Sequence, residues 1–388
     1  MRIIFAAGGT GGHIMPAVAV AQAVKKLEQS EFLFVGAGRP AEGKILDPLG
    51  FKREVISSGG VKGLGILGKV KGGLKSSRGF FQAMRIIRAF DPDLIFLTGA
   101  YVSFPMGIAG KLLRIPLLIH EQNRKPGLSN RILSRFADII FLGDEKAREF
   151  FPKKKRLAFT GNPVREEIRE LSQRVRKETD VFTLLILGGS QGARAINQAV
   201  MGILKDLEGD KNFKIIHQAG VEGEKLLRPL YEKTTLNYEL KDFFSDMPRV
   251  LGEANLAISR AGALTLAEFA AARLPSILIP LPTAADDHQS QNALSLVEAG
   301  TSILIKEGDL TPELLFARLS DLMDDRERLK SMSENCASLD KPDSAETMAK
   351  WIMLYSPTVK SRVPMGTKGG RFRGKLYGEK PEQEEKKD

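Results

Sequence analysis

The strongest constraint on the fold is a pattern that occurs twice: an apolar run, a glycine-rich turn, then an Ala/Val-rich stretch. It stands at residues 2–24, "RIIFAAGGTGGHIMPAVAVAQAV", and again at 182–200, "FTLLILGGSQGARAINQAV". A short apolar run without alternation fits a strand buried on both faces, and the turn and helix after it fit a parallel βα unit. Runs of the same kind, "EFLFVG", "DLIFLTG", "PLLIHEQ" and "DIIFLG", follow the first. The second is followed by "FKIIHQAG", "NLAISRAGALTLAEFAAA" and "PSILIPLP". The chain therefore reads as α/β, with two Rossmann-like domains and a cleft between them. A length of 388 residues agrees with two domains. The divide falls near "LAFTGNPVREEI", giving domains at 1–160 and 161–342, with a helix near 343–355 that can pack back on the first. The remainder, 356–388, is basic and poor in apolar anchors, so disorder is expected there.

Function classes narrow next. The single cysteine, Cys336, permits no internal disulfide and fits a reducing compartment. The apolar start "MRIIFAAGG" is too short for a signal peptide. No run approaches the roughly 20 apolar residues of a membrane span. The net charge of +11 points to an anionic partner: nucleic acid, a lipid surface or a phosphorylated substrate. Its distribution separates these. Residues 61–88 carry Lys62, Lys69, Lys71, Lys75, Arg78, Arg85 and Arg88 without one acid. Leu64, Ile66, Leu67, Leu74, Phe80 and Phe81 are interleaved with them. Apolar side chains ringed by cations suit an anionic membrane surface. A surface loop with its apolar residues turned inward is the plainer alternative. No stacking aromatics accompany the cations, so nucleic acid is not expected as a partner.

Glycine turns carry the chemistry. In the first, Gly8, Gly9, Gly11 and Gly12 surround Thr10, and His13 follows. The dinucleotide fingerprint fails, because Ile14 stands where its last glycine belongs. "GRPAEGKI" at 38–45 fails as a nucleotide-phosphate loop, because Ile45 replaces the magnesium-holding hydroxyl. A second turn begins at Gly99 and a third runs from Gly188 to Arg194. Such turns lie at the carboxyl ends of parallel strands, where helix-start N–H groups suit anions. His13 is either a helix cap or a group at the cleft floor, and as an imidazole it is the leading base candidate. His217 reads as structural, and no Cys/His spacing indicates a metal. Asp286-Asp287 does not form the DxD of metal-dependent sugar transfer. Glu268, on the first turns of a helix, either answers the helix dipole or accepts from a ribose diol.

Six stretches in order, "GGTGGHIMPAVAVA", "GAYVSFP", "HEQN", "GNPVR", "GGSQGAR" and "SRAGALTLAE", closely resemble the MurG glycosyltransferases over roughly residues 1–350. The resemblance implies the GT-B arrangement, with an N-terminal acceptor and membrane-associating domain and a C-terminal UDP-GlcNAc-binding domain. It implies inverting transfer of N-acetylglucosamine from UDP-GlcNAc to the muramoyl hydroxyl of lipid I, giving lipid II. No cofactor or metal is implied. The setting would be the cytoplasmic face of the inner membrane in peptidoglycan synthesis, with other cell-wall enzymes as further partners. Carried over by motif, Thr10, Gly11 and Gly12 line the sugar side and Asn123 contacts the GlcNAc. Arg165 and Ser190 lie near the diphosphate. Phe244 offers backbone atoms to uracil. Ala263, Leu264, Thr265, Leu266 and Ala267 form the nucleotide-binding helix start, Glu268 takes the ribose, and Gln289 lies near the donor sugar. Ala100 and Phe104 depart from the family, which usually has glycine there. A UDP-sugar epimerase of the same fold and a non-enzymatic basic membrane or nucleic-acid binder are the competing readings.

Overall fold

The computed structural model describes residues 1–9, 11–59, 66–173, 181–188, 192–209, 212–284 and 287–356, with backbone alone for 66–76, 172 and 173. The first sheet holds β1 (Arg2–Ala6), β2 (Glu31–Gly36), β3 (Lys52–Val55), β4 (Leu94–Leu97), β5 (Leu117–Glu121), β6 (Ile139–Leu142) and β7 (Leu157–Phe159). Their spatial order is β3-β2-β1-β4-β5-β6-β7, and the pairings are parallel. Its helices are α1 (Gly11–Leu27), α2 (Pro40–Leu46), α3 (Ile66–Phe90), α4 (Ser103–Leu112) and α5 (Leu128–Leu133). The short α6 (Glu166–Arg169) lies in the connection to the second unit.

The second sheet holds β8 (Phe182–Leu187), β9 (Phe213–Gln218), β10 (Asn237–Lys241), β11 (Leu256–Ser259), β12 (Ser276–Leu278) and β13 (Ser302–Leu304). It is also parallel, in the order β10-β9-β8-β11-β12-β13. Around it lie α7 (Arg194–Ile203), α8 (Val221–Tyr231), α9 (Met247–Glu253), α10 (Ala263–Ala271), α11 (His288–Glu298), α12 (Pro312–Asp324) and α13 (Arg326–Leu339). The last helix, α14 (Ser344–Met353), returns to the first unit, where Met348, Ala349 and Ile352 share a core with Val18 and Val24 of α1.

The unbroken apolar strands follow from this layering. Ile3 and Phe5 of β1 face the core containing α1, while Ile4 and Ala6 face the opposite core, built with α3 and α4. Both faces of the second sheet are likewise covered. A strand so placed has no wet face, so apolar residues run on without alternation.

The strand order also positions the site. In each sheet the chain reverses its direction of winding beside the opening strand, between β1 and β4 and between β8 and β11. A crevice forms at the carboxyl ends of strands at such a switch point. The glycine turns after β1, β4, β8 and β11 all fall there.

Candidate active site

The first glycine turn is already occupied by an anion of the protein itself. Glu42 of α2 is 2% exposed. Its Oε1 accepts from the N–H groups of Gly9 (2.8 Å) and Ala37 (2.9 Å), and its Oε2 accepts from Gly38 (2.8 Å). A Cβ on Gly36 would overlap this carboxylate, and one on Gly8 would lie 2.9 Å from Oε1. The glycines thus make room for Glu42, a residue the sequence reading left inside a rejected motif. Thr10 lies outside the described residues, and Gly11 and Gly12 open α1 with Gly12 exposed.

His13 stands one residue further on. Its Nδ1 is 2.9 Å from the carbonyl oxygen of Thr98, at the end of β4. A carbonyl only accepts, so Nδ1 carries the hydrogen and Nε2 keeps its lone pair. Burial holds the imidazole below its usual pKa; the Thr98 carbonyl opposes this, and His288 adds to it. His13 is therefore neutral near pH 7. Thr98 is fixed in turn, with its Oγ1 donating to Ala6 at 3.3 Å. The second turn closes through Gly99, whose φ of +86° favours glycine and whose N–H donates to Ser103 Oγ at 3.0 Å. The departures at Ala100 and Phe104 resolve differently: Ala100 is buried, and Phe104 is at the surface.

In the second unit the anion-binding features are open. Helix α10 starts after Gly262 without a side-chain cap, so the N–H groups of Ala263, Leu264 and Thr265 lack the partners that a helix interior supplies. Leu266 and Glu268 are buried, and Ala267 is half-buried on the same helix. Glu268 Oε1 lies 3.3 Å from Arg165 Nη2, an ion pair that brings together the ribose and diphosphate candidates. Burial pushes the Glu268 carboxyl up while Arg165 pulls it down. The third turn needs glycine at both ends: Gly192 has φ +76°, and a Cβ there would sit 2.5 Å from the Ala219 carbonyl. A Cβ on Gly188 would sit 2.7 Å from Ala193 N. Ser190 lies outside the described residues. Gln289 Oε1 accepts from Leu281 N at 2.9 Å, pinning the loop before α11. Phe244 is a core side chain whose N–H donates to Gln218 Oε1 at 2.9 Å, so that backbone donor is already engaged.

The two units meet through residues that the motif reading missed. Asn292 of α11, 5% exposed, accepts from Arg124 N (3.0 Å) and donates to Asn123 Oδ1 (3.1 Å) and the Ala261 carbonyl (3.2 Å). Asn123 is held from the other side by Glu121, which accepts from its N–H (2.9 Å) and its Nδ2 (3.0 Å). Glu121 also accepts from Gly127 N and Asn130 Nδ2, and burial still pushes its carboxyl up. Ser295 Oγ donates to Asp144 at 2.6 Å, and Glu298 pairs with both Arg124 and Lys146. Beside this seam is a cavity of about 90 Å³ lined by Gln122, Asn162, Ala263, Ala267, Asn292 and Lys341, among others. No spacing rule marks Asn292, because its partners lie 31 to 169 residues away.

The basic apolar segment becomes α3, which packs on α4. Leu64 lies outside the described residues. For Ile66, Leu67, Lys69, Lys71, Leu74 and Lys75 the description is of helical backbone only. Phe80 and Phe81 differ. Phe80 is half-buried against the first unit's core, whereas Phe81 is 70% exposed. Tyr101 (62%), Phe104 and Leu112 (63%), on and before α4, are also exposed apolar side chains, and Arg78, Arg85 and Lys111 are exposed on the same two helices. Among the described residues, no helix is long and apolar enough to cross a membrane.

Known proteins agree with this geometry. Residues 3–142 match the glycosyltransferase family 28 N-terminal domain, and residues 183–348 match the family 28 C-terminal domain. A UDP-N-acetylglucosamine--N-acetylmuramyl-(pentapeptide) pyrophosphoryl-undecaprenol N-acetylglucosamine transferase of Citrifermentans bemidjiense is 40% identical over 351 residues, 90% of this chain and 98% of that protein. The enzyme of the same name from Geobacter sulfurreducens is 39% identical over 353 residues, 90% of this chain and 97% of its own. Among solved structures, Acinetobacter baumannii MurG superposes with a TM-score of 0.72 at 31% identity, covering 91% of this chain and 99% of that one. A UDP-GlcNAc 2-epimerase from Neisseria meningitidis, at 15% identity and a TM-score of 0.66, covers 91% of this chain and 100% of its own; it shares the fold alone. Two winding-reversed parallel sheets with facing glycine turns, together with these matches across nine-tenths of the chain, place it in the MurG family of glycosyltransferase family 28.

Proposed function

We propose that the protein transfers N-acetylglucosamine from UDP-GlcNAc to the muramoyl hydroxyl of a lipid-linked acceptor, lipid I, with inversion at the anomeric carbon. One observation carries the reading: an open helix start with its Arg165–Glu268 pair in one unit, and a neutral imidazole with its Nε2 lone pair available in the other. The nucleotide belongs to the second unit. Its ribose diol would hydrogen-bond to Glu268, and its diphosphate would meet Arg165 and the first N–H groups of α10. Asn123, on the loop after β5, and Gln289, in the first turn of α11, are suited to the donor sugar. The third turn, with Ser190, completes the diphosphate side.

In the transfer, the acceptor hydroxyl oxygen attacks the anomeric carbon from the face opposite the diphosphate. The new carbon–oxygen bond forms as the bond to the diphosphate oxygen breaks. The hydroxyl proton passes to His13 Nε2, and UDP departs with the bonding pair. Cationic and N–H groups at the second unit stabilise that developing charge. The exposed apolar surface of α3 and α4, with its cations, would rest on an anionic bilayer beside the acceptor. On this reading the protein works at the cytoplasmic membrane face, with other wall-building enzymes as further partners.

Incubation with labelled UDP-GlcNAc and a lipid I analogue tests this. Label should move to the lipid, with UDP released only when the acceptor is present. Conversion of UDP-GlcNAc to its 2-epimer without acceptor would instead establish the epimerase reading. His13→Ala should lower turnover at saturating substrates by roughly 10²–10⁴. Near-normal turnover would remove His13 as the base.

A further inference from the structure

A buried carboxylate normally has a cationic partner or a catalytic task. Glu42 makes no ion pair among the described residues and has only a weak attraction from Arg53, which pairs with Asp47; it spends its two oxygens on three backbone N–H groups, from Gly9, Ala37 and Gly38. These come from two separate connections, the β1–α1 turn and the β2–α2 turn. The carboxylate fills the concavity that a phosphate would occupy in a nucleotide-binding turn of this kind. Gly8 and Gly36 leave it the space.

We propose that Glu42 is a positioning residue for the transfer reaction: a built-in anion that shapes the first glycine turn, and through it the start of α1, for the acceptor. This rests on the functional reading above, in which the first unit receives the acceptor. Glu42 fixes Gly9, four residues before His13, while Thr98 fixes the imidazole itself. The two anchors together define where Nε2 sits. The same occupancy assigns ligand phosphate away from the Gly9 N–H. An acceptor diphosphate would meet the later N–H groups of the helix start, at Gly11 and the exposed Gly12.

Glu42→Gln keeps the volume but sets an amide N–H₂ against at least one of the three donors. In the full-length chain, kcat for transfer to a lipid I analogue should fall at least tenfold. The donor KM and UDP affinity by calorimetry should stay within twofold, because α10 and Arg165 are untouched. Hydrogen–deuterium exchange should quicken at residues 8–13 and stay unchanged at 263–268. Should Glu42→Gln fail to fold, Glu42→Asp, whose carboxylate is drawn back by one methylene, is read by the same criteria. A folded variant with wild-type kcat, or with unchanged exchange at residues 8–13, overturns the inference. So does a variant whose donor KM rises while kcat and thermal stability fall together, the mark of a merely structural role. A wild-type chain that transfers nothing overturns the functional reading instead, and the exchange comparison still judges Glu42.

Discussion

Asn292→Ala is the substitution with the sharpest predicted consequence, because one side chain links loops of both units. Three hydrogen bonds are lost, at 3.0, 3.1 and 3.2 Å, from a residue only 5% exposed. Each has a net worth of about 1 kcal/mol, and the abandoned groups add a desolvation cost. The neighbouring cavity, of about 90 Å³, can admit water to the freed Ala261 carbonyl and Arg124 N–H. Water at those two groups offsets the desolvation cost and about one bond's worth, leaving a total destabilisation of about 2 kcal/mol. Two of the three bonds join the units, so about 1.4 kcal/mol of it weakens their docked arrangement, roughly tenfold in that equilibrium. The Ser295–Asp144 bond remains, and the ion pairs beside it are weak substitutes. The Glu298 carboxylate that pairs with Arg124 and Lys146 is 47% exposed, and such pairs contribute at most about 1 kcal/mol. The assay is steady-state transfer, with solution scattering on the same samples. kcat/KM should fall about tenfold and the radius of gyration should rise, while UDP affinity changes less than threefold. If thermal stability falls but kcat/KM stays within twofold, Asn292 contributes only stability and the coupling argument fails.

Three further outcomes follow from the same geometry. Glu268→Ala should raise the donor KM about tenfold, the worth of one charged hydrogen bond, with a smaller effect on kcat; an unchanged KM removes its ribose role. His120 and His217 are both buried and hold pKa values near 3, against 6.5 for a free imidazole. The unfolded chain therefore binds more protons between those values, so stability is fully present above pH 6.5 and declines by about 1.4 kcal/mol per histidine per unit as acid is added. An NMR titration showing either ring protonating above pH 5 would contradict this. The double variant Phe81→Ser, Tyr101→Ser should weaken binding to anionic vesicles roughly thirtyfold, from about 2 kcal/mol of apolar contact, without altering Tm. Equal vesicle binding would move the membrane contact elsewhere.

The sheets and their glycine turns were legible because burial on both faces writes itself as uninterrupted apolar runs, and because close approach excludes side chains. Gly188 and Gly192 illustrate the second point: each faces backbone at a distance no Cβ tolerates. Charge–charge relations between distant segments were not legible. Arg165 and Glu268 are 103 residues apart, and their pairing depends on how α6 lies against α10. Glu42 was hidden by its context, since "GRPAEGKI" reads first as a failed phosphate loop. What the sequence could not convey is that the Gly9 end of the turn had no need of a ligand anion. Likewise, Phe80 and Phe81 are adjacent in the chain, yet one faces the core and the other faces out, because one residue turns a helix by about 100°.

The two switch points share a sequence pattern but differ in electrostatics, and that difference gives the cleft a direction. Beside β1, the Gly9 end of the turn is filled by the Glu42 carboxylate, which repels a nucleotide diphosphate and leaves only the later N–H groups, at Gly11 and Gly12, to an acceptor. Beside β11, the helix start is uncapped and the Glu268 carboxylate, further along the helix, is balanced by Arg165, so the free N–H groups attract the same ligand. A unit charge acting over about 10 Å at an effective dielectric of about 20 contributes roughly 1.7 kcal/mol. The preference for nucleotide diphosphate at the second unit thus needs no specific contact to begin. The same polarity serves the reaction. In the proposed transfer, as the donor bond breaks, negative charge grows toward α10 and positive charge grows on His13, toward Glu42. Both changes follow the field already present. Removing the Glu42 charge alone, by Glu42→Gln, should therefore leave nucleotide affinity unchanged or slightly higher while slowing transfer. Loss of nucleotide affinity in that variant would mean that the polarity argument has the wrong sign.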